Sequence, residues 1–152
     1  MDKQITELIG RNRLIDELLR SRIEVALPER DRGIDLIAYV DLDSRAASFI
    51  ARPMQIKASS REQFSIERKY AKFSDLILAF VWHVHDPGSS ITYALTYRET
   101  LAVGKAMKWT KKASWVKRGR YTTQRPSKRL VRLLQPFRMS SKLWRGKILG
   151  HK

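Results

Sequence analysis

The sequence of 152 residues has no cysteine, which excludes a disulfide scaffold, a CxxC redox site, a thiolate zinc site and a cysteine nucleophile, and fits a reducing compartment. Long apolar runs are missing too. The longest, residues 76–82, falls far short of the roughly 20 residues that cross a bilayer. The Met-Asp-Lys-Gln start lacks the basic and apolar regions of a signal peptide. A cytoplasmic protein with no membrane partner is expected. The seven glycines form no Walker or Rossmann pattern, and Ser59, Ser60, Ser89 and Ser90 stand in no nucleophile-elbow context. One further absence carries more: residues 105–152 contain no Asp or Glu.

What the chain does contain is base. Lys and Arg number 31 against 15 Asp and Glu, a net charge of +16. Residues 1–104 carry 15 of each sign, so the whole excess lies in the last 48 residues, interleaved with Trp109, Trp115, Tyr121, Phe137 and Trp144. Basic side chains displace counterions from phosphates and aromatic faces stack on bases, so this segment points to a nucleic-acid partner. Its candidate contacts are Lys108, Lys111, Lys112, Lys117, Arg118, Arg120, Lys128 and Arg129. Most of the rings are expected in the core, because such a segment needs apolar anchors. The plainer alternative is a solvated basic face, or a patch for acidic lipid or ribosomal RNA.

The length predicts one domain that folds without staples, and 43% hydrophobic residues supply its core. Residues 1–104 read as a neutral α/β core, and residues 105–152 as a basic segment packed on the same domain. Ile5, Leu8, Ile9, Ile15, Leu18 and Leu19, spaced by threes and fours, predict a helix over residues 3–21. Strands follow at 23–27, at 34–40 and, after a polar turn over 41–47, at 49–57, where Pro53 suggests an edge or bulge. Residues 61–73 have near-helical spacing, and 75–84 read as a buried central strand. The Asp86-Pro87-Gly88 turn leads to a strand at 91–97 and a helix at 98–108, and residues 126–134 read as a short helix with proline in its first turn. Residues 109–125 are ambiguous. The predicted class is α/β, in the order αβββαββα with a basic C-terminal extension, around a mixed sheet.

Two strands carry polar residues where apolar ones are expected: Asp35, and Gln55 with Lys57. Alternation puts Gln55 and Lys57 on one face. If the two strands are neighbours, Asp35 meets them, and a carboxylate, an amide oxygen and an ammonium converge. Hard oxygens suit magnesium, which keeps several waters and needs one or two carboxylates. The lysine can then orient or help deprotonate a water and stabilise charge on phosphorus. The plainer reading of the same residues is a partly buried ion pair.

Gly33-Ile34-Asp35 and Gln55-Ile56-Lys57, between a leading helix and a following helix and strand, resemble the PD-(D/E)XK restriction-endonuclease-like nucleases, in particular the Gln-x-Lys branch seen in Mrr-like domains. The resemblance covers residues 3–84 and implies a restriction-endonuclease-like core, a central mixed sheet flanked by helices. It implies that Asp35 and Gln55 are metal ligands, that Lys57 is catalytic, that the Ile56 carbonyl is a further ligand and that Mg²⁺ or Mn²⁺ is the cofactor. No proline precedes Asp35, and Gln55 replaces an acid, which weakens metal binding. The leading helix often supplies a glutamate; the aligned position falls near Arg11 or Asn12, so Glu7, one turn earlier, takes that place, with Asp16, Glu17, Asp31 and Glu67 as poorer substitutes. The function expected is a metal-dependent endonuclease acting on DNA more than RNA, with homodimers as a way to cut both strands. The alternatives are a noncatalytic DNA- or RNA-binding protein with a degenerate nuclease fold, and an interaction protein for an acidic partner. His83 and His85 are expected on one strand face, without a third ligand.

Overall fold

A computed structural model describes residues 2–30, 32–40 and 49–150. The turn expected over 41–47 and Asp31 lie outside the described residues. Helix α1, Lys3–Arg20, starts at Asp2, whose side chain accepts from the Gln4 N–H at 2.9 Å. Strands β1 (Glu24–Ala26), β2 (Leu36–Tyr39), β3 (Ala51–Ala58), β4 (Phe64–Glu67), β5 (Ile77–Trp82) and β6 (Ile91–Thr96) follow, then helix α2, Tyr97–Ala106. The basic segment holds α3 (Ala113–Arg118), β7 (Arg120–Thr123), α4 (Lys128–Leu134) and α5 (Trp144–Leu149). Five strands form a mixed sheet in the order β1-β2-β3-β5-β6, in which β3 and β5 are parallel and the other neighbours antiparallel. The expected α/β class with a central mixed sheet is therefore present; among the described residues no helix is long and apolar enough to cross a membrane.

Residues 61–73 are not a helix, and the order αβββαββα does not hold. Phe64 and Ile66 alternate into the core, and β4 pairs with β7 in a separate two-stranded sheet before a 3-10 turn at Arg68–Tyr70. The pairing that makes β4 a strand comes from residues 120–123, outside any local window. Pro53 is not on an edge strand, since β3 is central. It opposes Ile37 of β2, one residue before the ladder to β5 begins at Met54, so its missing N–H removes no sheet hydrogen bond. At α4 the N-cap is Ser127, which accepts from the Leu130 N–H at 3.2 Å, and Pro126 lies just outside the helix. β5 ends at Trp82, so His83 and His85 share no strand: His83 meets Glu62 at 3.3 Å and His85 meets Thr6 at 3.1 Å.

Each face of the sheet has its own core. Leu14 and Leu18 of α1, Met54, Ile77, Ala79 and Trp144 of α5 pack on one face; Phe64, Ile66, Phe80, Trp82, Trp109, Trp115 and Leu130 pack on the other. The basic segment thus contributes to both, and Trp109, Trp115 and Trp144 are buried rather than presented to bases. The Trp144 indole donates to Glu17 Oε1 at 2.8 Å, and Thr92 donates to the other oxygen at 3.0 Å. Burial raises the Glu17 carboxyl above its ordinary pKa, against the lowering effect of those two hydrogen bonds.

Helix α1 approaches β3 most closely at Gly10, where an added Cβ would lie 2.4 Å from the Ala58 Cβ. Gly10→Ala is expected to destabilise the fold by about 1–3 kcal/mol through overpacking, despite the better helix propensity of alanine. Urea unfolding of the two proteins measures it.

Candidate functional site

Asp35 sits one residue before β2. Its N–H donates to the Met54 carbonyl at 2.9 Å, although the register partner of Met54 is Leu36. This one-residue offset, of the kind a β-bulge produces, turns the chain out of the ladder and releases Asp35 from strict alternation. Its carboxylate accepts from the Ile56 N–H at 2.6 Å. β3 outruns β2 at this end, so the carboxylate takes the place of a missing strand. A strand residue presents its N–H and C=O on the same side, so the Ile56 carbonyl faces the same open edge.

A cleft of about 500 Å³ lies there, lined by Gln4, Glu7, Leu8 and Arg11 of α1 and by Asp35, Gln55, Ile56 and Ala58. Glu7, Asp35 and Gln55 therefore share one cleft. Glu7 also makes an exposed pair with Lys3 at 3.8 Å, which solvent screens. Arg11 is the unexpected member: its Nε is buried and has no hydrogen-bond partner among the described residues. Asp16 and Glu17 do not line this cleft, and neither does Glu67.

Lys57 lies outside it. It lines a neighbouring cleft with Gln55, Lys69 and Tyr70, and Gln55 alone of the predicted residues borders both. Lys57 Nζ binds Glu67 Oε1 at 3.0 Å and stands 5.4 Å from the centre of the Tyr70 ring. Glu67 is 5% exposed and also meets Lys69 at 3.2 Å and Arg120 at 3.9 Å. Burial opposes its ionisation, yet the hydrogen bonds and charges of Lys57 and Lys69 outweigh burial and hold its carboxyl below the ordinary value. Glu67 is thus the partner of the lysine and not a further ligand beside Asp35.

No family model, curated protein or solved structure matches this chain. Among the described residues no three His, Cys, Asp or Glu side chains form a group that could hold a metal ion. The first cleft is lined by two carboxylates, those of Glu7 and Asp35, and bordered by Gln55, a hard set short of one negative charge.

The predicted nucleic-acid contacts Lys108, Lys111, Lys112, Lys117, Arg118, Arg120, Lys128 and Arg129 are all exposed. Arg129 has one guanidinium nitrogen committed to the Ala106 carbonyl at 2.9 Å. Sequence reasoning missed the cations of the neutral half that join them. Arg68 donates to the Trp115 carbonyl at 2.9 Å and receives the Trp115 ring at 4.8 Å from its guanidinium carbon, and its N–H binds the Gly119 carbonyl at 2.7 Å. Gly119, at φ +68°, makes the turn from α3 into β7 that sets Arg118 and Arg120 beside Lys69. The one sequence signal for this was the run Arg68-Lys69-Tyr70-Ala71-Lys72.

Because the folded pKa of Glu67 is depressed, its stabilising contribution is complete above the ordinary carboxylate value and is lost as pH falls through the depressed one. Wild type is therefore expected to be more stable than Glu67→Gln at pH 7, with the difference vanishing at strongly acid pH. Urea midpoints of both proteins across that range measure it.

Proposed function

We propose that the chain is a metal-dependent nucleic-acid phosphodiesterase, an endonuclease acting on DNA more than RNA, built on a restriction-endonuclease-like core. The observation that carries this reading is that Glu7 of α1, Asp35 before β2 and Gln55 of β3 line one cleft together with Arg11. The donors fit Mg²⁺ or Mn²⁺, and the arginine fits the phosphate that such an ion accompanies.

In this reading Glu7 and Asp35 would hold the ion, with Gln55 at the border of the two clefts and the Ile56 carbonyl on the same edge. When bound, the ion supplies Lewis acidity that activates water and offsets charge on the scissile phosphate. Asp35 fixes the edge of β3 through the Ile56 N–H, and this anchors its carboxylate beside the cleft. The guanidinium of Arg11, which lines the cleft, takes a phosphate oxygen. Lys57 acts from the neighbouring cleft, which Gln55 joins to the first, and stabilises negative charge on a phosphate at that border, while Glu67 keeps its ammonium charged and positioned. Arg118, Arg120 and the other basic residues of the C-terminal segment neutralise the flanking backbone. One cleft cuts one strand, so double-strand cleavage calls for two copies.

A noncatalytic nucleic-acid-binding protein is the second reading. It is favoured by the ion pair that engages Lys57 and by the neutral Gln55 in place of an acid.

Wild type is expected to nick plasmid DNA in Mg²⁺ or Mn²⁺, and Asp35→Ala and Lys57→Ala to lose about a hundredfold or more of that rate. Undiminished cleavage by Lys57→Ala removes that residue from the chemistry. Calorimetry separates the two readings: a Mg²⁺ site abolished by Asp35→Ala belongs to the enzyme, whereas DNA affinity without any such site belongs to the binding protein.

A further inference from the structure

The second cleft, of about 510 Å³, is chemically unlike the first. Apolar groups line much of it, including Ile34, Pro53, Tyr70 and Phe73, and its charged members are all cations: Arg32, Lys57, Lys69 and Lys72. Phe73 is 49% exposed and Ile34 is 36% exposed, a large apolar surface for a charged neighbourhood. Ammonium groups stand near both rings, with Lys69 5.0 Å from the centre of Tyr70 and Lys72 5.4 Å from that of Phe73. The buried Glu67 carboxylate offsets Lys57 and Lys69 in part, and the four cations keep a surplus of positive charge. A ligand that suits this cleft has a flat apolar face and a negative group beside it.

We propose that this cleft seats one unpaired nucleotide of a nucleic-acid strand, its base against Phe73 and its phosphate between Lys69 and Lys72. The volume falls in the range of small-ligand sites and accommodates a single nucleotide. Base stacking on an aromatic ring tolerates any sequence, so the seat reads pairing state and not base identity. A base inside a duplex has no free face to offer and is excluded. Gln55 borders both clefts, so a strand whose unpaired nucleotide occupies this seat passes its neighbouring phosphate toward Asp35. The protein then selects flaps, overhangs and frayed ends. This inference rests on the nucleic-acid part of the proposed function and not on cleavage.

The test uses fluorescence anisotropy in EDTA, where no metal-dependent cleavage can occur. Three labelled DNAs share one hairpin stem: one blunt, one with a three-nucleotide overhang, and one whose overhang carries abasic residues. Wild type is expected to bind the natural overhang about tenfold more tightly than the other two, an effect of the size base–aromatic stacking gives. Phe73→Ala loses that preference, and Phe73→Trp keeps it while its added indole fluorescence is quenched on binding. Phe73 is half exposed, so neither substitution disturbs the buried core. Equal wild-type affinity for all three DNAs overturns the seat while leaving nucleic-acid binding intact. A loss in Phe73→Ala that is the same on blunt and overhang DNA overturns it as well. Failure to bind any of the three overturns both the seat and the nucleic-acid reading. A preference present in a protein that never cleaves supports the seat and removes only the endonuclease.

Discussion

The close approach of α1 to β3 at Gly10 and Ala58 governs the rest of the site. Beyond that contact the helix continues into Leu14 and Leu18, which are fully buried, and into Glu17, held by Trp144 and Thr92. On the other side of it the first two turns stand over the end of β3 and leave the cleft that Glu7 and Arg11 line. A larger residue at position 10 would push the helix away and open the distance between Glu7 and Asp35. The second half of the helix, anchored by the buried Leu14 and Leu18, fixes the angle at which the first half meets the strand.

β3 then distributes chemistry to its two faces and its edge. Met54 and Ile56 pack toward α1, and Gln55 and Lys57 alternate to the opposite face, where Glu67 and Tyr70 receive the lysine. The edge is open because β2 ends short, and Asp35 uses the Ile56 N–H found there. One strand therefore serves two clefts. Separation of Lys57 from Asp35 follows from strand alternation together with the bulge-like offset at Met54.

What the sequence made legible was what short-range periodicity encodes. α1 and β5 were clear because their apolar residues follow one period along the whole element, and Asp35, Gln55 and Lys57 stood out as polar breaks in apolar strands. Glu7 came from the family resemblance, which implies a glutamate on the leading helix, and not from the spacing itself. β4 was misread because Phe64, Ile66 and Tyr70 satisfy a helical spacing loosely, and its strand partner lies at residues 120–123. The same long-range pairing hid the partner of Lys57, since Glu67 reaches it from β4 and Arg120 comes with β7. Arg11 was not legible as a site residue because only the packing of α1 over β3 shows that it lines the cleft.

The charge of the C-terminal segment acquires its meaning from that same pairing. Exposed charges at physiological ionic strength are screened over about 8 Å, so a net charge of +16 spread over a chain does little at any one place. The end of α3 and the start of β7 bring Arg118 and Arg120 to the flank of β4, where Lys69 and Lys57 already stand. Lys57, Lys69 and Arg120 all contact Glu67, so these three fall within about one screening length of one another and act together on a phosphate backbone. Glu67 is the single carboxylate that lines this strip among the described residues, and its burial among cations is what lets Lys57, Lys69 and Arg120 gather so closely. Without it their mutual repulsion would oppose the β4–β7 pairing that brings the basic segment to the site.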